Sequence, residues 1–234
     1  MKSDVESLHV ESLDVESLLV AIPAGQVTLS DRRTRRTWPV EVAAFRLGAF
    51  PVTQEVYARV TGGWPSATRG GQLPVESVSW RDAIRFCNAL TRQEGLTPAY
   101  RAGVGEGRVE WDVAADGYRL PTEAEWERAC RAGTAGPRYG PLDEIAWYRG
   151  NSGEHLHKVG DRAPNPWGLY DMLGNVWDWC WDTYDAEVYG DYKVLRGGGW
   201  FDEHWSCRAS VRRRGHPDFQ VDDVGFRLAR SAPR

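Results

Sequence analysis

The sequence predicts an α+β fold with a large share of irregular structure. Three observations carry this. Short apolar runs broken by turn residues follow Val20, three well-capped helices fall between Thr53 and Gly133, and the second half is dominated by Gly, Pro, Asn, Asp and Trp. The chain has 234 residues, 41% hydrophobic and 26% charged, which excludes disorder throughout. Its 12 Trp and 25 Gly are the unusual entries. A buried Trp removes roughly 150–250 Å² from water, about 4–6 kcal/mol gross, so a few aromatics can hold a loop-rich domain together.

In chain order, residues 1–19 read as a flexible tail carrying VESL three times, at Val5–Leu8, Val10–Leu13 and Val15–Leu18. The five-residue step matches no helical or heptad period. Residues 20–234 read as one domain, since no low-polarity linker separates the two halves. AIPAGQVTLS and WPVEVAAFRLGAFPVT predict two or three strands around an Arg32–Arg36 turn. Thr53 caps a short helix ending at Gly62. Ser79 caps a second, with Ala83, Phe86, Cys87 and Leu90 on one face. Thr122 and Glu125 form a capping box opening a third, which buries Trp126, Ala129 and Cys130 and stops at Gly133. Beyond it the chain is predicted to loop and return to a sheet at Val224–Ala229.

Lys+Arg 29 against Asp+Glu 33 gives a net charge of −4, so no general field draws the chain to nucleic acid or an anionic membrane. Acids interrupt the N-terminal segment where a signal peptide needs an apolar stretch. No run approaches the ~18 apolar residues of a membrane span. A cytoplasmic monomer, without nucleic-acid or membrane partners, is the expectation. Cys87, Cys130, Cys180 and Cys207 form no CxxC pair. The Arg208, Arg212, Arg213 and Arg214 run has acids around it and reads as internal ion pairing, and Gly197–Gly199 as close backbone packing. His155 and His157 alternate and could share a metal, though two loop histidines are the plainer reading.

Four motifs stand in order: GYRLPTEAEWE at 117–127, NPWGLYDMLGNVWDW at 165–179, LRGGGW at 195–200 and VGFR at 224–227. Together they resemble the formylglycine-generating enzyme (sulfatase-modifying factor) family over about residues 20–230. The resemblance implies a C-type-lectin-like fold of the formylglycine-generating-enzyme type, a small twisted antiparallel sheet with flanking helices and extensive loops. Catalytic members place a copper-binding cysteine pair shortly after the Arg-Gly-Gly motif. Here that stretch reads Trp200-Phe201-Asp202-Glu203-His204-Trp205-Ser206, without cysteine. A lone thiol does not replace a dithiolate Cu(I) site, so formylglycine chemistry is not expected. The correspondence would bring Cys130 and Cys207 within bonding reach. It also implies a structural calcium at Asn175, Val176 and Asp178, with no cofactor required, although a turn held by Asn and Asp hydrogen bonds uses the same letters.

Between the framework residues of 196–227, aromatic, aliphatic and charged side chains mix without a period of 2 or 3.6. Such a mixture suits a binding surface, with aromatic anchors and orienting charges. This pattern resembles the variable proteins of diversity-generating retroelements, whose C-terminal cassette is diversified on a lectin-like scaffold. The implied ligand-binding residues are Trp200, Phe201, Asp202, Glu203, His204, Trp205, Ser206, Val211, Arg213, His216, Phe219, Gln220, Val221, Asp222 and Asp223. Trp200, Cys207, Phe226 and Arg227 also occupy framework positions. The function expected is non-enzymatic binding of a protein or peptide; the competing class is a thiol-oxidising oxidoreductase.

Overall fold

A computed structural model describes residues 15–105 and 107–232. In chain order the strands and helices are β1 (Leu19–Ile22), β2 (Gly25–Asp31), β3 (Arg36–Val42), β4 (Phe45–Gly48), α1 (Gln54–Thr61), α2 (Trp80–Gln93), β5 (Tyr100–Ala102), β6 (Val109–Trp111), β7 (Tyr118–Arg119), α3 (Glu123–Arg131), α4 (Leu142–Ile145), β8 (Trp177–Thr183), α5 (Ala186–Tyr189), β9 (Lys193–Arg196), β10 (Arg212–Gly215), β11 (Val224–Gly225) and β12 (Ala229–Ser231). One sheet runs β1-β4-β12-β7 and joins the two ends of the chain; the second runs β10-β9-β8-β11. Pairing is antiparallel except between β11 and β8.

The three main helices begin where their caps predict. The hydroxyls of Thr53, Ser79 and Thr122 each accept a bond from the first turn, and the last two complete reciprocal capping boxes with Asp82 and Glu125. The β2–β3 hairpin turns at residues 32–35 as expected, although four strands, not two or three, occupy the N-terminal fifty residues.

Two expectations need correction. The first two VESL copies lie outside the described residues, but the third is part of the fold. Val15 is buried in the core, and the Glu16 carboxylate pairs with both Arg46 and Arg230. A buried valine and a doubly paired acid anchor a chain that composition alone marks as loose. The second half also holds more sheet than predicted, because β8 is the centre of a four-stranded sheet and not part of a loop. Trp177, Asp178, Trp179 and Cys180 are all buried, so β8 shows none of the in–out alternation that marks a half-exposed strand.

The core has two lobes. One packs α1 and α2 on β8 and β11. In it Phe226 meets Phe86 at 5.3 Å and Tyr57 at 6.4 Å between ring centroids, both edge-on. The indoles of Trp80 and Trp179 donate to the carbonyls of Cys180 and Val78, tying the start of α2 to β8. The other lobe surrounds α3, with Trp126, Phe45, Leu47, Cys130 and Cys207 buried together. All four cysteines are free thiols, so the pairing implied for Cys130 and Cys207 is not made. Among the described residues no helix is long and apolar enough to cross a membrane.

Three arginines are buried with their counter-charges. Arg196 pairs with Glu127 and, at 3.5 Å, with Glu123; Arg119 makes a bidentate pair with Glu125; Arg227 meets Asp178 at 2.6 Å. Arg227 also donates to the carbonyls of Gly48, Tyr170 and Asp171, binding the two sheets and the 165–175 loop together.

Candidate ligand-binding surface

Residues 197–223 cross one end of the second sheet as a loop–strand–loop. Their main chain is held by groups from elsewhere in the chain. The Trp200 N–H donates to the Asn175 carbonyl, while the Trp200 carbonyl accepts from the Ser152 hydroxyl at 2.9 Å. The Arg149 N–H donates to the Asp202 carbonyl, Arg138 to the carbonyls of Cys207 and His204, and the Ser77 N–H to the Val221 carbonyl. Gly198, at φ +87°, lets the turn pass over the Cys207 thiol; a Cβ there would stand 2.9 Å from Sγ.

On this support the side chains divide. Phe201, Trp205 and Phe219 are 49%, 53% and 39% exposed, among the largest apolar groups left in contact with solvent. His204, Arg213, His216, Gln220 and Asp222 are exposed beside them, and Trp200, Glu203 and Ser206 are half-buried. Trp200 and Phe201 stack edge-on at 5.4 Å, as do His204 and Trp205 at 5.0 Å. The Trp200 indole donates to the Asp222 carbonyl, coupling the two arms of the segment.

Four of the expected ligand residues turn inward. The Asp202 carboxylate accepts from the Trp177 indole at 2.6 Å and from the Gly199 N–H, and so closes the turn. Val211 and Val221 pack against the core. Asp223 is buried beside Arg213 at 3.7 Å, and burial pushes its pKa up to about 6. In a loop without periodicity, sequence order says nothing about which way each side chain points.

One member of the surface lies outside the segment. Arg149 covers the Phe201 ring at 5.1 Å and pairs with Glu203 at 3.4 Å. No motif marks this arginine in the sequence. Of the basic run, Arg212 is buried against Glu123 and Asp31, acids far from the segment, while Arg214 lies over the Tyr189 ring at 3.9 Å.

The residues of the calcium motif have partners of their own. Asp178 Oδ2 accepts from Arg227 and from the Trp126 indole, and its Oδ1 is left without a partner. Asn175 sits at φ +61° and exchanges hydrogen bonds with the His157 backbone. Val176 is buried. His157 stacks on Trp147 at 3.6 Å and meets His155 at 4.3 Å. Among the described residues no group of three or more His, Cys, Asp or Glu is arranged to hold a metal.

Burial also raises the pKa of Asp171 and Asp182 to about 6. Each of these carboxyls, like Asp223, binds its proton more tightly folded than unfolded, where an ordinary Asp titrates near 3.9. Their contribution therefore grows as pH falls through about 6 and is complete below the unfolded value. Burial of His157 pushes its pKa down and works the other way. Burial raises Glu76 as well, so four carboxyls stand against one imidazole, and urea unfolding is expected to show a stability at pH 5 equal to or above that at pH 7.5. A steady loss over that window would contradict the buried placement of these groups.

The family model described as a sulfatase-modifying factor enzyme 1-like domain matches residues 9–232. A chaperone protein, LppX, of Paenibacillus barcinonensis is 31% identical over 229 residues, covering 82% of this chain and 82% of its own. The inactive C-alpha-formylglycine-generating enzyme 2 of Mus musculus is 31% identical over 204 residues, covering 79% of this chain and 58% of its own. Among solved structures, Treponema denticola variable protein 1 superposes with a TM-score of 0.85 at 33% identity, covering 92% of this chain and 95% of its own.

Proposed function

We propose that this chain, which belongs to the sulfatase-modifying factor enzyme 1-like family, is a non-enzymatic binding protein that presents residues 200–222 to a protein or peptide ligand. The observation that carries this reading is the set of exposed aromatics, Phe201, Trp205 and Phe219, borne by one segment whose main chain is anchored from outside it. Solvent-facing aromatics cost stability nothing to replace and supply most of the energy when a partner covers them. The likeness to Treponema denticola variable protein 1 supports the further reading that the segment is diversified. A near-copy of the DNA encoding residues 196–227 beside a reverse transcriptase gene, differing only at adenines, tests that reading; absence of any copy leaves a fixed ligand.

The binding role is tested through stability, without knowing the ligand. Ala substitutions at Phe201, His204, Trp205, Phe219 and Asp222 are expected to change unfolding free energy by no more than about 0.5 kcal/mol. Val221→Ala, which uncovers core, should cost about 1 kcal/mol. Losses above about 2 kcal/mol at most of the first five would show that they serve packing.

Thiol oxidation is the competing activity, and the thiols argue against it. The nucleophile and metal ligand is the thiolate, yet burial pushes Cys130 and Cys207 up to about 12 and raises Cys87 and Cys180 as well. Incubation with Cu(I), oxygen and a cysteine-containing sulfatase-type peptide is expected to yield no aldehyde; aldehyde that disappears in Cys207→Ser would reverse the proposal. The binding role does not rely on calcium. Arg227 already compensates Asp178, whose carboxylate keeps one oxygen without a partner.

A further inference from the structure

Beside the Trp205 end of the surface lies a cavity of about 300 Å³, bounded on one side by the β2–β3 turn and on the other by the C-terminal segment. Arg32, Arg33 and Arg212 line it, against one acid, Asp31. Arg212 is neutralised from behind by Glu123, and Arg33 reaches Asp185. Arg32 is exposed and has no ion pair among the described residues. Ser30, Ser206 and Ser210 also line this space, and the hydroxyl of none of them has a hydrogen-bond partner among the described residues.

A spare guanidinium, three unpaired hydroxyls and an aromatic wall are the donors that an oxyanion on an apolar stem requires. Guanidinium forks bind carboxylate and phosphoryl oxygens alike. The setting favours carboxylate on a protein chain. Asp185 and Glu187 line the adjoining cavity, where their charge penalises a dianionic phosphoryl group more than a singly charged carboxylate, and the pocket volume suits one or two side chains.

We propose that this pocket is a carboxylate subsite, which gives the surface a standing preference for acidic protein segments. The proposal rests on the ligand-binding reading of the segment and deepens it. Ser30, Arg32 and Arg33 lie outside residues 196–227, so changes within the segment can alter Trp205, Ser206, Ser210 and Arg212 but leave Arg32 and Arg33 in place.

Fluorescence anisotropy with fluorescein-labelled hexaglutamate, at low salt, tests this on the full chain. Hexaglutamate is expected to bind and hexaglutamine not to; Arg32→Ala is expected to weaken binding about tenfold or more, with Arg32→Lys between. Arg32 is exposed, so thermal melts of these variants should match the parent. No binding of hexaglutamate, or equal binding to Arg32→Ala, overturns the subsite. So does tighter binding of a hexathymidylate oligonucleotide, and so does displacement by inorganic phosphate more readily than by glutarate at equal ionic strength. Trp205→Ala separates the two readings. Binding lost in Trp205→Ala but kept in Arg32→Ala preserves the aromatic surface without the subsite. The reverse preserves the subsite and removes Trp205 from ligand binding.

Discussion

Arg227→Met is expected to cost about 3–5 kcal/mol, enough to leave much of the protein unfolded at 37 °C when a domain has about 5–15 kcal/mol in total. The guanidinium is fully buried and is the only cation paired with Asp178 among the described residues. Its removal leaves a carboxylate in the core with one indole donor, and three carbonyls, of Gly48, Tyr170 and Asp171, lose donors. The double variant Arg227→Met/Asp178→Leu separates charge from packing. Recovery of a substantial part of the loss in the double variant assigns it to the stranded carboxylate; no recovery assigns it to the carbonyls. Urea unfolding by Trp fluorescence reads both.

The second large effect is Phe226→Ala, expected to cost about 3–5 kcal/mol. The ring is fully buried between Phe86 of α2 and Tyr57 of α1, and the Phe226 carbonyl accepts from the Val52 N–H. Truncation opens a cavity where three rings meet. Phe226→Leu should recover about half of the loss. A cost below about 1 kcal/mol would mean that the two helices repack freely.

What could be read from the sequence followed local chemistry. Thr53, Ser79 and Thr122 start helices because a side-chain oxygen next to an orphaned N–H is a short-range fact, indifferent to the rest of the fold. β8 was hidden because burial on both faces erases its alternation, and its Asp178 reads as polar until Arg227, 49 residues away, is brought to it. The location of the surface was legible from the residue types in 200–223. The inward turn of Asp202, Val211, Val221 and Asp223 was not, since it depends on Trp177, Arg213 and the core beneath. Arg149 and the arginine hairpin were missed for the same reason: they join the surface only through the fold.

The tethers on the C-terminal segment have an evolutionary consequence. Most of them end on backbone atoms, the carbonyls of Trp200, Asp202, His204, Cys207 and Val221, which every amino acid supplies, and the Trp200 N–H, which only proline lacks. Substituting the outward residues therefore leaves the geometry of the loop untouched, and the side chains can be redrawn many times without renegotiating the scaffold. The few positions where the side chain itself closes the structure, Asp202 above all, are where such rewriting must stop. A library built on this protein should randomise the exposed aromatics and charges, keep Asp202, Gly198 and Cys207 constant, and exclude proline wherever a main-chain N–H is donated.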